Sequence, residues 1–394
     1  MKFDFSNATI LGKQSVIKGM MSKMEVPFLS ACSVIDFSGY YILPAFIDVH
    51  VHFREPGFSY KETVATGSHA AARGGYFAVC TMPNLNPVPD TLGNLELQRN
   101  IIKKDSVIRT IPFASITKGQ NGMELSDMEA LAPYVCGFTD DGRGVDNTSV
   151  MREAMIRARA LNKIISAHCE DGSCVKDSKE AEWKQIERDI KLVDEIKCKY
   201  HVCHISTKES VELIRDAKKS GVNITCETAP HYLTLTDADK EDSGRFKMNP
   251  PLRDKVDMDA LIEGMCDGTI DMIATDHAPH SAEEKGRGFA KSLNGIVGLE
   301  TAFPVMYTNF VRNGIITLDK LVELMSINPS KRFDIELGGF TVYDLNDEYV
   351  IDPNEFRTMG RSSPFAGNKV YGRCLATAAD GKIAYIDNKL IKDR

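Results

Sequence analysis

Apolar and polar positions follow one repeating scheme along most of this chain. Between Ile42 and His280, eight short runs rich in β-branched and aromatic residues each end in a polar or metal-binding residue, and a helix-like stretch follows. The runs are YILPAFIDVHVH, YFAVCTMPN, VIRTIPFASIT, VCGFTDDG, IISAHCE, YHVCHIS, VNITCETAPHYL and DMIATDHAPH. Strands that are apolar on both faces and alternate with helices predict a parallel sheet, and eight of them predict a closed (β/α)8 TIM-like barrel. Such barrels react at the rim formed by the C-terminal strand ends. That rim collects His50, His52, Asn84, Thr117, Asp140, Asp141, His168, His204, His231, Asp276 and His280.

Helix signals fall between the runs. KETVATGSHAAARGG is alanine-rich and stops at a double glycine, and STKESVELIRDAKKSG opens on Ser206 and Thr207 with Glu209 placed for a capping box from Ser206. The charged, glycine-rich SAEEKGRGFAKSLNGIVG after the eighth run predicts a loop over the barrel mouth, a lid. Both ends have a different texture. Residues 1–42 (KFDFSNATI, FLSACSVIDFSG) and 340–394 (GGFTVYDLN, GNKVYGRCLATAADGKIAYID) alternate on a two-residue period. Neither piece can bury a core alone, so the expectation is one small β-sandwich domain built from both ends, beside a barrel spanning 43–339.

Composition narrows the class. The 394 residues accommodate one barrel of roughly 250 residues plus an accessory domain. With 43% hydrophobic and 26% charged residues the chain has the make-up of a folded globular protein, and no apolar run reaches the ~20 residues of a membrane helix. A net charge of −7 with dispersed basic residues gives no electrostatic reason for nucleic acid as a partner. The opening MKFDFSNATILGKQ has no signal-peptide pattern, so a cytoplasmic location is expected. Ten cysteines form no C-x-x-C pair and lie mostly in apolar strands, as buried hydrophobes do.

The chemistry is in the histidines and acids. His50 and His52 are two apart on a strand, so both imidazoles leave one face and can share an ion; Asp48 has the same parity and is expected to orient one of them. His168 and His204 end separate strands and can hold a second ion. Asp140 or Asp141 is the carboxylate available to bridge the two, and Asp276 can serve as both ligand and base. Mixed imidazole and carboxylate suits Zn²⁺ first. His69 reads as an ordinary helix residue. His201, opposite in parity to His204, is expected to face the outer helices, and His231 to play a supporting part.

DVHVHFREPG (Asp48 to Gly57) and ATDHAPHSAEEK (Ala274 to Lys285) together resemble the dihydroorotases of the amidohydrolase superfamily. TMPN, GFTDDG, AHCED, HVCHISTKESVELIRDAKKSG, KMNPPLR, GIVGLETAFP and NKVYG extend the likeness in order over essentially the whole chain. The resemblance implies two Zn²⁺ per subunit, with His50, His52 and Asp276 on one and His168 and His204 on the other. Many relatives bridge the ions with a carboxylated lysine, which GFTDDG lacks. The chain therefore looks like the bacterial branch in which an aspartate, here Asp141, takes that place.

Arg54, Asn84, Asn249 and His280 are implied as substrate-binding residues, and Asp276 as the catalytic one. The implied reaction is reversible cyclisation of N-carbamoyl-L-aspartate to L-dihydroorotate in pyrimidine synthesis, by a homodimer, with aspartate transcarbamoylase as a further candidate partner. Arg54 presents a planar fork of donors that suits a carboxylate. Two other readings share the barrel and the H-x-H pair: an allantoinase or hydantoinase, and a metal-free scaffold. The chain departs from the pattern at Ala45, where relatives usually carry glycine, in the short segment 171–199, and at Leu293 and Asn294 ahead of Gly295.

Overall fold

The computed structural model of the protein describes residues 2–4, 8–11 and 34–390. Part of the second N-terminal run, residues 28–33, lies outside the described residues. Four short strands come first: β1 (Lys2–Asp4), β2 (Thr9–Ile10), β3 (Val34–Asp36) and β4 (Tyr41–Pro44). The barrel strands follow as β5 (Phe46–Val51), β6 (Tyr76–Thr81), β7 (Arg109–Pro112), β8 (Gly137–Phe138), β9 (Ile164–Ala167), β10 (Lys199–Val202), β11 (Ile224–Thr228) and β12 (Met272–Ile273).

All eight pair in parallel, in the orders β5-β6-β7 and β8-β9-β10-β11-β12. Two single bridges, Ala114 to Phe138 and Val51 to His277, join these arcs into a closed ring. The fold is thus the expected (β/α)8 barrel. Every position of β5 and β6 is buried, as strands covered by helices outside and side chains inside must be.

Helices α1 (Val64–Arg73), α2 (Leu92–Asp105), α3 (Thr148–Ala160), α4 (Lys179–Ile196), α5 (Lys208–Lys219) and α6 (Lys255–Asp267) follow six of the strands. Thr63 caps α1 in a reciprocal box with Thr66, and the helix stops at Gly74. On α5 the cap is Thr207, not Ser206, because Ser206 is held elsewhere: its hydroxyl and both the Ser206 and Thr207 N–H groups bond to Glu182 of α4. α1 also backs the site. A Cβ on Gly67 would stand 2.4 Å from the ring of Phe53, the residue after His52, so only glycine lets the helix approach.

The run from Tyr41 to His52 is not one strand. Tyr41–Pro44 pairs antiparallel with β13 (Gly339–Val350), and the chain enters the barrel only after Ala45, whose N–H bonds to the Gly339 carbonyl. β4 and β13 belong to a five-stranded sheet with β2, β14 (Lys369–Ala379) and β15 (Lys382–Ile386), in the order β15-β14-β13-β4-β2; β1 pairs with β3 apart from it. Phe37, Ile42, Phe340, Val342 and Leu375 form a small core of their own. Tyr343 donates from its hydroxyl to the Gly74 carbonyl at 2.9 Å and so ties that sheet to α1.

Candidate metal centre

Beyond the strand ends the chain turns sharply, and those turns carry the chemistry. His50 lies within β5 and His52 one residue past it; His168 and His204 stand one and two residues past β9 and β10; Asp141 and Asp276 stand three past β8 and β12. His204 and Asp276 adopt left-handed backbone (φ 31° and 48°), which non-glycine residues hold only where the surroundings enforce it.

These six side chains meet. His52 Nε2 lies 3.1 Å and His50 Nε2 3.5 Å from Asp276 Oδ1. Around Asp141 Oδ1 stand His50 Nε2 at 3.4 Å, His204 Nε2 at 3.5 Å and His168 Nδ1 at 3.7 Å, while its Oδ2 is 3.6 Å from His52 Nε2. Asp141 therefore touches all four imidazoles. Asp140 turns away and accepts hydrogen bonds from the N–H groups of Ile116 and Thr117 and from the Thr117 hydroxyl.

His50 Nε2 and Asp141 Oδ1 are fully buried, yet neither has a hydrogen bond. Orphaned buried polar atoms are costly, and a cation between them resolves the cost. Charge agrees: burial opposes ionisation of both groups, but the nearby acids push His50 well above the usual imidazole value and the histidines hold Asp141 well below the usual carboxylate range. Burial likewise opposes charge on Asp276, but a hydrogen bond with His52 and the neighbouring imidazoles bring it down to about 2. The donor set fits divalent metal, and the groups His50/His52/Asp276 and His50/Asp141/His204 each gather their ligand atoms within 4.8 Å.

A cavity of about 220 Å³ opens onto this cluster, lined also by Arg54, Asn84, Asn249, His280, Asn294 and Gly295. Arg54 Nε donates to the Pro279 carbonyl at 3.3 Å, and its terminal nitrogens have no partner among the described residues. The other three expected binders are already engaged. Asn84 donates to the Asp141 carbonyl at 2.7 Å and Asn249 to Glu170 Oε2 at 3.2 Å. His280 Nε2 donates to the Asn294 carbonyl at 2.8 Å, which leaves Nδ1 to accept from Lys61 at 3.3 Å. The segment expected as a lid forms two short helices, Ala282–Lys285 and Gly288–Lys291, and Glu284 pairs with Lys61 at 3.0 Å. His231 is buried against Tyr232 with Nε2 unpaired, and burial pushes it down to about 4. His69 is exposed on α1.

A dihydroorotase from Fusobacterium nucleatum is 52% identical to the chain over 98% of its length and 96% of the relative's. The chain belongs to the dihydroorotase family. A dihydroorotase from Staphylococcus aureus is 44% identical over 98% of this chain and 97% of that one, and the family model described as dihydro-orotase-like matches residues 39–182. Among solved structures, L-hydantoinase (dihydropyrimidinase) from Arthrobacter aurescens superposes with a TM-score of 0.81 at 25% identity, covering 90% of this chain and 88% of that one.

Two acids of this dihydroorotase-family barrel escape sequence reasoning. Glu227 Oε1 accepts from His50 Nδ1 at 2.7 Å, the part expected of Asp48. Asp48 instead accepts from the backbone N–H groups of His50 and Thr275, closing the seam between β5 and β12, where the ladder has a single bridge. Glu170 Oε2 meets His168 Nε2 at 3.3 Å, and that contact holds Glu170 down to about 2. His201 faces inward to Glu227 Oε2 at 3.1 Å, not outward: the strand ends at Val202, so alternation cannot be counted on to His204. The usable signal for Glu227 is an acid inside an otherwise apolar strand run.

Proposed function

We propose that the chain interconverts N-carbamoyl-L-aspartate and L-dihydroorotate at this mouth, as a cyclic-amide hydrolase holding two divalent cations, zinc first. His50, His52 and Asp276 would hold one ion, His168 and His204 the other, with Asp141 between them. The observation that carries this is the buried, unbonded pair His50 Nε2 and Asp141 Oδ1, 3.4 Å apart inside a ring of three further histidines and Asp276. Bound there, divalent cations supply polarisation of the ring carbonyl and a water acidic enough to attack at neutral pH.

The rest falls to the chain. Asp276 turns Oδ1 to His50 and His52, which leaves Oδ2 to take the attacking water's proton and return it to the departing ring nitrogen. Arg54 aims its free guanidinium nitrogens at the substrate carboxylate, which argues against a hydantoin or allantoin, neither of which has one. Asn84 and Asn249 hold Asp141 and Glu170 in place.

With the motif resemblance as support, the proposal includes a barrel of 43–339 with an accessory domain from both ends, a cytoplasmic homodimer, and aspartate transcarbamoylase as a partner for pull-down and gel filtration to check. The deciding experiment follows loss of carbamoyl aspartate and appearance of dihydroorotate with and without a chelator. Metal-dependent turnover is expected; full activity in metal-free protein would refute the site.

A further inference from the structure

We infer that Glu227 is the positioning residue shared by both halves of the metal centre. The inference rests on the metal reading above. Glu227 is 1% exposed, deep in the barrel below the ligand cluster. Its Oε1 does two things. It accepts from His50 Nδ1 at 2.7 Å, which fixes the tautomer whose free Nε2 lone pair faces Asp141 and Asp276. It also accepts from the backbone N–H of His204 at 3.3 Å, at the left-handed turn that swings the His204 ring back to Asp141.

Oε2 accepts from His201 Nε2 at 3.1 Å, and His201 Nδ1 in turn accepts from the Thr225 hydroxyl at 2.9 Å. Both oxygens are therefore spent on donors. The grouping of His50, Cys203 and Glu227 is for that reason a support beneath the ions and not a third ion site. One carboxylate thus steers a ligand of each ion, His50 through its ring and His204 through its backbone. A carboxylate behind a ligating imidazole raises its basicity, and losing such a partner typically costs 10- to 100-fold in metal affinity.

The test titrates metal-free wild type, Glu227→Gln and Glu227→Ala with Zn²⁺ against a chromophoric chelator, and melts each protein with and without Zn²⁺. Glu227→Gln keeps the shape and an acceptor for His50 but not the charge. Both Zn²⁺ affinities are expected to fall about 10- to 100-fold in it and further in Glu227→Ala, with a smaller metal-induced rise in Tm. A purely structural carboxylate would lower Tm equally in both states and leave the affinities alone; that result overturns the inference, as does a fall confined to one ion. Should Glu227→Ala fail to fold, Glu227→Gln decides. Wild type that takes up no metal sinks the metal reading itself, which the variants alone cannot do.

Discussion

Arg54→Met removes the one cation that, among the described residues, lines the cavity with free donors, while keeping the apolar stem of the side chain. Arg54 is 9% exposed, and burial lowers it only to about 10, so it is charged at neutral pH. Its Nε is anchored to Pro279, and the two terminal nitrogens are left to grip a carboxylate side by side. Truncating one partner of a buried, hydrogen-bonded charge pair costs about 2–5 kcal/mol, which corresponds to a loss of about 30-fold to several thousand-fold in kcat/KM. The assay measures kcat/KM in both directions for wild type, Arg54→Met and Arg54→Lys, alongside metal content and Tm. Arg54→Lys should recover only part of the loss, because an ammonium cannot bind two oxygens in one plane. On dihydrouracil, the same ring without the carboxylate, wild type and Arg54→Met should differ little. An Arg54→Met protein with kcat/KM for dihydroorotate within threefold of wild type refutes the carboxylate grip.

Further outcomes follow from the same geometry. Asp141→Asn should lose bound metal by elemental analysis, whereas Asp140→Asn should keep it and lose about 1–3 kcal/mol of stability in urea, since Asp140 holds the 116–117 backbone and the Thr117 hydroxyl. Raising pH should shift the balance from ring closure to ring opening by about tenfold per pH unit, because closure consumes one proton whatever group delivers it; an Asp276→Asn protein whose turnover in either direction matches wild type contradicts Asp276 as the proton carrier. In metal-free protein, burial opposes charge on Glu227, but the charge of His50 and the hydrogen bonds from His201 and His50 hold it down to about 2. A lowered acid stabilises the fold above its unfolded value near 4.5, and this contribution, on the order of 3 kcal/mol, should disappear as pH falls from 4.5 to 2, as read by denaturant titration. Gly295→Ala should cripple turnover with little loss of metal, because φ is +133° and the added Cβ would lie 2.5 Å from the Ala278 carbonyl oxygen in the cavity wall.

Local patterns exposed the barrel but not its internal bonds. Strands apolar on both faces, His50 and His52 at a two-residue spacing, and acids just past strand ends are properties of neighbouring residues, so sequence shows them. The choice of Asp141 over Asp140 needed either the family resemblance or the coordinates, because adjacent acids in a turn are equivalent on paper. Glu227 meets His50 from 177 residues away, and no periodicity encodes that pairing. His201 and Asp48 depart from expectation for a related reason: alternation describes a strand, whereas β10 ends at Val202, and the Asp48 carboxylate is taken up by backbone N–H groups. The engagement of His280 with Asn294 and Lys61 likewise depends on how the lid folds back.

Two of the strands bearing this site, β8 and β12, are only two residues long, so the sheet ladder alone cannot hold the six clustered side chains in register. Buried carboxylates take over where the ladder stops. Asp48 accepts the N–H groups of His50 and Thr275, Asp140 those of Ile116 and Thr117, Glu182 those of Ser206 and Thr207, and Glu227 that of His204. All four acids are at most 4% exposed, and each fastens backbone at or beside a strand end that carries or adjoins the site. Acceptors of this kind satisfy N–H groups that a longer ladder would otherwise occupy, while letting the chain turn and aim its side chains inward. Substituting Asp48, Glu182 or Glu227, which fasten backbone beside His50, His204 and Asp276, should disturb metal binding through the backbone before it unfolds the barrel.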